Sequence, residues 1–238
     1  MRQPFVYDPP MSPYLTVLHR DDDIIVLNKP SGLLSVTGNR PSHKDALSSR
    51  VQRVFPTASV VHRLDWATSG VIVMAMHKAA NRSLSHQFHH RITHKRYFAR
   101  VHGIVSQQQG SIDLPLSTNA SDRPTQRVDT EQGKPSLTHY TVLHTEDNQW
   151  GGESWVELRP VTGRSHQLRV HMQAIGHPIM GDRLYAHSFN TNGATSLPRL
   201  QLHAETLILR HPRDNSWQRF CAAIPFLPLT PTPLGIPE

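Results

Sequence analysis

Asp65 is the only acid between His62 and Gly103, a span that also holds Arg63, Lys78, Arg82, Arg91, Lys95, Arg96 and Arg100. Positive charge around a carboxylate favours its ionised form, and the ionised form is the one that acts as a nucleophile. The residue sits in the run Val61-His62-Arg63-Leu64-Asp65-Trp66-Ala67-Thr68-Ser69-Gly70, where the hydroxyls of Thr68 and Ser69 are suited to fixing a turn. The same run also reads as a simple Arg–Asp pair beside a hydroxyl-rich turn, and the residues alone leave both readings open. A second acid-free stretch, residues 158–181, carries Arg159, Arg164 and Arg169. Two positive segments far apart in sequence suit the two walls of one groove.

Other chemistries find less support. No GxxxxGK[ST] loop and no GxGxxG run is present, which removes the usual signals for nucleotide hydrolysis and dinucleotide binding. The cluster His86-Gln87-Phe88-His89-His90 lacks the HExxH pattern and lies in a positive segment that opposes a divalent cation. It reads as a solvated or RNA-facing helix surface, and no metal is expected. The usual glycosidase scheme needs two carboxylates at the scissile bond, and this motif supplies one.

Composition agrees with a polyanion partner. Twenty-five Lys and Arg against eighteen Asp and Glu give a formal charge of +7, with seventeen histidines in addition. The single cysteine, Cys221, excludes an internal disulfide framework and suits a reducing compartment. The start of the chain lacks a signal-peptide apolar core, and no apolar run approaches the length of a membrane span, so a cytoplasmic protein without membrane contact is expected.

The elements that must position these residues follow from pattern. Residues 1–13 hold four prolines and read as an extended arm. Strands are expected at 14–19 and 24–27 around the acidic turn Asp21-Asp22-Asp23, with turn chemistry at Asn28-Lys29-Pro30-Ser31-Gly32. Ala46, Leu47, Val51 and Val54 space a helix over 43–55, ended by Pro56. Strands at 60–62 and 71–76 flank the loop that carries Asp65. Ala80, Leu84 and Phe88 form one apolar stripe of a helix over 78–91. Further strands are expected at 94–102, 112–116, 137–144, 155–159, 206–209 and 217–221, with a helix over 165–175 closed by Gly176. The five prolines of 225–238 suggest a loose tail. Strands outnumber helices, so the expected class is α+β with a largely antiparallel mixed sheet and flanking helices. One catalytic domain over 14–225 is expected, between the arm and a tail over 226–238.

Four ordered motifs carry a resemblance. His62-Arg63-Leu64-Asp65 followed by Thr68-Ser69-Gly70 resembles the signature of the RluA family of RNA pseudouridine synthases. Asn28-Lys29-Pro30-Ser31-Gly32-Leu33 resembles its early motif, and Lys95-Arg96-Tyr97 its tyrosine motif. Gly163-Arg164-Ser165-His166-Gln167-Leu168-Arg169-Val170-His171, with Gly176-His177-Pro178-Ile179 and Gly181-Asp182, resembles its later one. The resemblance spans residues 14–225 and is strongest to dual-specificity members, which lack the S4-like RNA-binding domain of other relatives. It implies the pseudouridine synthase catalytic fold and an isomerase that needs neither cofactor nor metal.

The resemblance also implies roles. Asp65 is the nucleophile, and Arg63 helps fill the space left when the target base leaves its stack. Tyr97 stacks on the uracil, Leu168 forms a pocket wall, and Arg169 grips Asp65 through its planar fork. The implied partners are 23S rRNA and the anticodon stem-loop of some tRNAs, met by a monomer. The competing reading is a non-catalytic basic RNA-binding protein or chaperone, which leaves the ordered Asp65, Tyr97 and Arg169 motifs without a purpose.

Overall fold

Twelve strands and three α-helices form among the described residues of the computed structural model, which are 7–148, 151–186, 197–226 and 232–237. In chain order these are β1 (Val17–Arg20), β2 (Ile24–Lys29), α1 (Leu47–Gln52), β3 (Ser59–Val60), β4 (Ser69–Ala75), α2 (Lys78–His89), β5 (His94–His102) and β6 (Gln109–Asp113). They continue with β7 (Leu116–Thr118), β8 (Gln126–Val128), β9 (Leu137–Glu146), β10 (Glu153–Pro160), α3 (Gln167–Ala174), β11 (Leu202–Arg210) and β12 (Trp217–Cys221). The chain forms two compact units. The first draws on Met1–Thr93, Leu207–Ala223 and Ile236–Glu238, and the second on His94–Thr206 and Ile224–Gly235.

In the first unit the strand order is β1-β2-β4-β11, with β3 also on β4 and β12 on β11. β2 pairs antiparallel with β4 from Ile24 opposite Ala75 to Lys29 opposite Gly70. Alternate residues Ile24, Val26, Val71, Val73 and Ala75 turn to one face, where Ala80 and Leu84 of α2 cover them together with Leu207, Leu209 and Phe220. This is the apolar stripe read from the sequence, and it fixes α2 with its polar side outward.

In the second unit the order is β11-β5-β10-β9-β6, and β7 pairs with β8 as a separate ribbon. β5 and β10 run antiparallel with Tyr97 opposite Leu158. Val170 of α3 packs with Leu116 and Tyr185. The resolved ladders of both units are antiparallel.

Several elements differ from the expected ones for identifiable reasons. The helix expected over 43–55 is confined to Leu47–Gln52, after a separate 3₁₀ turn at Pro41–His43. Ala46 is extended at φ −148°, and its N–H is taken by the Ser49 hydroxyl, which opens the helix there. Val54 lies outside the apolar stripe and is 65% exposed. The strand expected over 112–116 breaks in two, because Pro115 has no N–H to continue a ladder. β11 begins at Leu202 rather than 206, since its buried polar residues His203 and Glu205 hide the apolar signal.

The arm and the tail are tethered where they are described. The Tyr7 hydroxyl donates to the Asp45 carbonyl at 2.6 Å and accepts from the Leu34 N–H at 3.1 Å. Arg50, fully buried, donates to the carbonyls of Pro10 and Tyr14 and grips both oxygens of Asp45. At the other end, Arg96 donates to the Thr232 carbonyl at 2.8 Å.

Candidate active site

The loop between β3 and β4, residues 61–68, carries Arg63 and Asp65, and the early motif holds it. Lys29 is fully buried at the end of β2 and donates to the carbonyls of Leu33 at 2.7 Å, Pro30 at 3.0 Å and Trp66 at 3.3 Å. The Gly32 N–H donates to the Trp66 carbonyl at 3.0 Å, while the Trp66 indole N–H returns a bond to the Gly32 carbonyl at 2.7 Å. Gly32 makes this close approach at φ +87°, a conformation open to glycine and costly to most side chains. The Ser31 hydroxyl donates to the Ala67 carbonyl at 2.6 Å. One residue before Asp65, Leu64 is clamped by Ser35, whose hydroxyl donates to the Leu64 carbonyl at 2.7 Å and accepts from its N–H at 3.1 Å. The Thr68 N–H closes the turn on the Asp65 carbonyl at 3.1 Å.

The backbone on both sides of Asp65 is thus fixed by buried donors. Asp65 itself is half-buried, and Arg63 is exposed. His62 accepts from the Val73 N–H at 3.1 Å through Nε2 and stacks on Phe88 of α2 at 4.3 Å, which anchors the start of the loop. The sequence pointed to Asp65. It gave no role to Lys29, which lay in the turn-like run and the early motif, or to Ser35, which lay beyond both.

The second unit holds Tyr97, Leu168 and Arg169. Tyr97 is half-buried on β5, and alternation puts Arg96 on the opposite side. Lys95, on the same side as Tyr97, donates to the Thr162 carbonyl at 3.2 Å. Gln167 locks the turn ahead of α3. Its carbonyl oxygen accepts from the Thr162 hydroxyl at 2.7 Å and the Arg164 N–H at 3.0 Å, and its amide donates to the Leu137 carbonyl at 3.0 Å. His166 enters the helix at φ +55°, a left-handed conformation unusual outside glycine, with Nδ1 2.7 Å from the Tyr185 hydroxyl. Leu168 is buried.

One edge of the Arg169 fork is held within its own unit. Its Nε donates to Asp182 Oδ2 at 2.7 Å and its Nη2 to Oδ1 at 2.8 Å, so the two-bond grip along this edge belongs to Asp182. Both side chains are nearly sealed from solvent, and the guanidinium lies 4.9 Å from the centre of the Tyr185 ring. Asp182 Oδ1 also accepts from the N–H groups of Leu184 and Tyr185. Gly181 precedes it at φ +72°, and a side chain there would strike the Arg199 carbonyl. The Gly181-Asp182 pair is therefore a positioning element that spacing alone did not assign.

The positive segments are also less free than the sequence implied. Arg96 is buried against Glu205 at 2.8 Å and Glu157 at 3.5 Å, Arg100 pairs with Glu153, and Arg159 pairs with Glu157. Acids distant in sequence pair with Arg96 and Arg100, and one two residues away pairs with Arg159. Arg82 and Arg91 of the first unit remain on its surface.

Among the described residues, the one grouping of three metal-type ligands is Asp21, Asp23 and His211, not the α2 histidines. Its carboxylates already take His19, His77, Arg213 and the backbone N–H groups of Asp23 and Ile24. Among the same residues, no helix is long and apolar enough to cross a membrane.

The chain is similar to known proteins along most of its length. The model of the RNA pseudouridylate synthase family matches residues 23–174. The protein named dual-specificity RNA pseudouridine synthase RluA in Escherichia coli strain K12 is 50% identical over 221 residues, covering 92% of this chain and 98% of its own. Its namesake in Yersinia pestis is 52% identical over 206 residues, covering 87% and 97%. Among solved structures, human RNA pseudouridylate synthase domain containing 1 superposes with a TM-score of 0.74 at 32% identity, covering 96% of this chain and 88% of the other. On a family model that spans most of the chain and relatives half identical along nearly all of it, this chain belongs to the RNA pseudouridylate synthase family.

Proposed function

We propose that this chain isomerises specific uridines to pseudouridine in both 23S rRNA and the anticodon stem-loop of some tRNAs. The observation that carries this reading is the 50% identity over 92% of the chain with an enzyme named for dual specificity. The reaction breaks the bond from uracil N1 to the ribose C1′ and joins C1′ to C5. The C5 proton leaves and N1 gains one, so the change is redox-neutral and calls for no external carrier.

In this reading Asp65 is the nucleophile, held by the clamps on Leu64, Trp66 and Ala67. Rigid placement matters because a displacement of about 1 Å can slow a reaction about a hundredfold. Arg63 helps fill the space vacated by the target base, whose extrusion costs a few kcal/mol. Tyr97 stacks on the uracil and Leu168 lines the pocket. Arg169 supplies fixed positive charge to the substrate site, oriented by its grip on Asp182. The protein works as a monomer in the cytoplasm, with a catalytic domain over 14–225.

The test is release of tritium from RNA labelled at uridine C5, using unmodified tRNA and 23S rRNA transcripts. Release from both is expected. Binding to both without release would overturn the enzymatic reading in favour of an RNA chaperone, and release from one alone would overturn dual specificity.

A further inference from the structure

We propose that the outer face of α2 and the turn that ends it form a docking surface for the phosphate backbone of RNA. The proposal rests on the RNA-modifying reading above and assigns a contact surface within the first unit.

At about 100° per residue, Lys78, Arg82 and His89 fall within about 40° of one another on α2, with His86 beside them. The apolar residues Ala80, Leu84 and Phe88 take the opposite side and pack on the sheet. Lys78, Arg82, His86 and His89 are all exposed. The helix contains no acidic residue. Eleven steps of about 1.5 Å from Lys78 to His89 make the stripe about 16 Å long, enough to face several consecutive phosphates of one strand.

A second observation, independent of charge, comes from how the helix ends. The Ile92 N–H reaches back to the Gln87 carbonyl at 2.9 Å and the Arg91 N–H to the Phe88 carbonyl at 3.4 Å. This is a Schellman ending, whose left-handed residue is usually glycine. Here that residue is Arg91, at φ +59° with its side chain exposed. The fold alone favours glycine at this point. An exposed cation kept in a strained backbone position is explained by a partner it contacts, and the acid-free stripe beside it, with the cations Lys78 and Arg82, identifies that partner as a polyanion. His86 and His90 continue the surface, stacked at 4.0 Å, with His90 Nδ1 donating to the His86 carbonyl at 2.9 Å.

The decisive variant is Arg91→Gly, because a structural and a binding role predict opposite signs. Removing left-handed strain should raise Tm by about 2–4 °C. Losing one phosphate contact should weaken binding of an unmodified tRNA transcript about fourfold at 0.15 M salt and reduce the log–log salt slope by about 0.7. Arg82→Gln, at an exposed mid-helix position, should reproduce the loss of affinity without the gain in Tm. A lower Tm for Arg91→Gly, or wild-type affinity and slope in both variants, overturns the surface. Pseudouridine formation by the wild-type protein on the same transcript is measured in parallel. Its absence would overturn the enzymatic reading alone, since the binding comparison decides the surface by itself.

Discussion

Arg169 and Asp182 form a buried two-bond ion pair, Nε to Oδ2 at 2.7 Å and Nη2 to Oδ1 at 2.8 Å, joining α3 to the Gly181 turn thirteen residues later. Asp182→Ala leaves a guanidinium without this partner in a site where water cannot replace it. Breaking such a pair costs about 3–5 kcal/mol. Denaturant unfolding should register the loss, and unchanged stability would show that the pair contributes nothing. Arg169→Lys keeps the charge but not the planar fork. Its single-turnover rate at saturating enzyme should fall by about tenfold or more, with RNA affinity nearly unchanged. A wild-type rate would remove Arg169 from the substrate site.

Asp65→Asn tests the nucleophile with the smallest change of shape. The backbone clamps on Leu64, Trp66 and Ala67 do not involve the Asp65 side chain, so the loop should keep its conformation. Tritium release is expected to fall to background. RNA affinity should stay within about twofold, the range expected of a substitution that disturbs no packing. Normal turnover by the Asn variant would exclude Asp65 from the chemistry.

Much of this was legible because periodicity reports burial. The β5 strand at His94–His102 and the α2 stripe of Ala80, Leu84 and Phe88 follow from alternation and helical spacing. What periodicity cannot report is a polar residue whose partner lies far along the chain. Glu205 reads as an exposed acid until Arg96, 109 residues away, is seen to bind it at 2.8 Å. For the same reason the acid-free segments overstated the free positive charge, and Asp182 was not recognised as the partner of Arg169's Nε edge. Lys29 is the clearest case, since a lysine is expected outside and this one is fully buried among carbonyls.

His171 gives the fold a defined response to acid. It is fully buried on α3, with Nε2 donating to the Leu114 carbonyl at 3.0 Å and Nδ1 2.9 Å from the Thr138 hydroxyl. Burial holds its pKa below the usual histidine value. The unfolded chain therefore binds a proton at a higher pH than the folded one, and stability falls as pH drops below about 6.5. One such histidine contributes a slope of at most about 1.4 kcal/mol per pH unit. In His171→Gln the unfolding free energy should lose part of its decline between pH 6.5 and 5. An unaltered pH profile would mean that His171 titrates alike in both states.

Lys29 is the residue through which the early motif acts on the candidate nucleophile's loop, and Lys29→Met separates that role from bulk packing. Methionine fills a similar volume but donates nothing, so the carbonyls of Pro30, Leu33 and Trp66 each lose a donor in a buried site. The loss should destabilise the protein by about 2–3 kcal/mol, equivalent to a Tm lower by about 4–12 °C for a protein of this size. Stability alone does not show positioning, so the informative measurement is made well below the lowered Tm, where the variant is folded. There the amides of Gly32 and Thr68, whose acceptors are the carbonyls of Trp66 and Asp65, should exchange hydrogen faster than in the wild type. The single-turnover rate should fall with them, because the loop no longer holds Asp65 in one place. RNA affinity should be retained, since the buried ammonium touches no solvent-facing surface. A variant with a lower Tm, wild-type exchange at these two amides and a wild-type rate would make Lys29 a packing residue only.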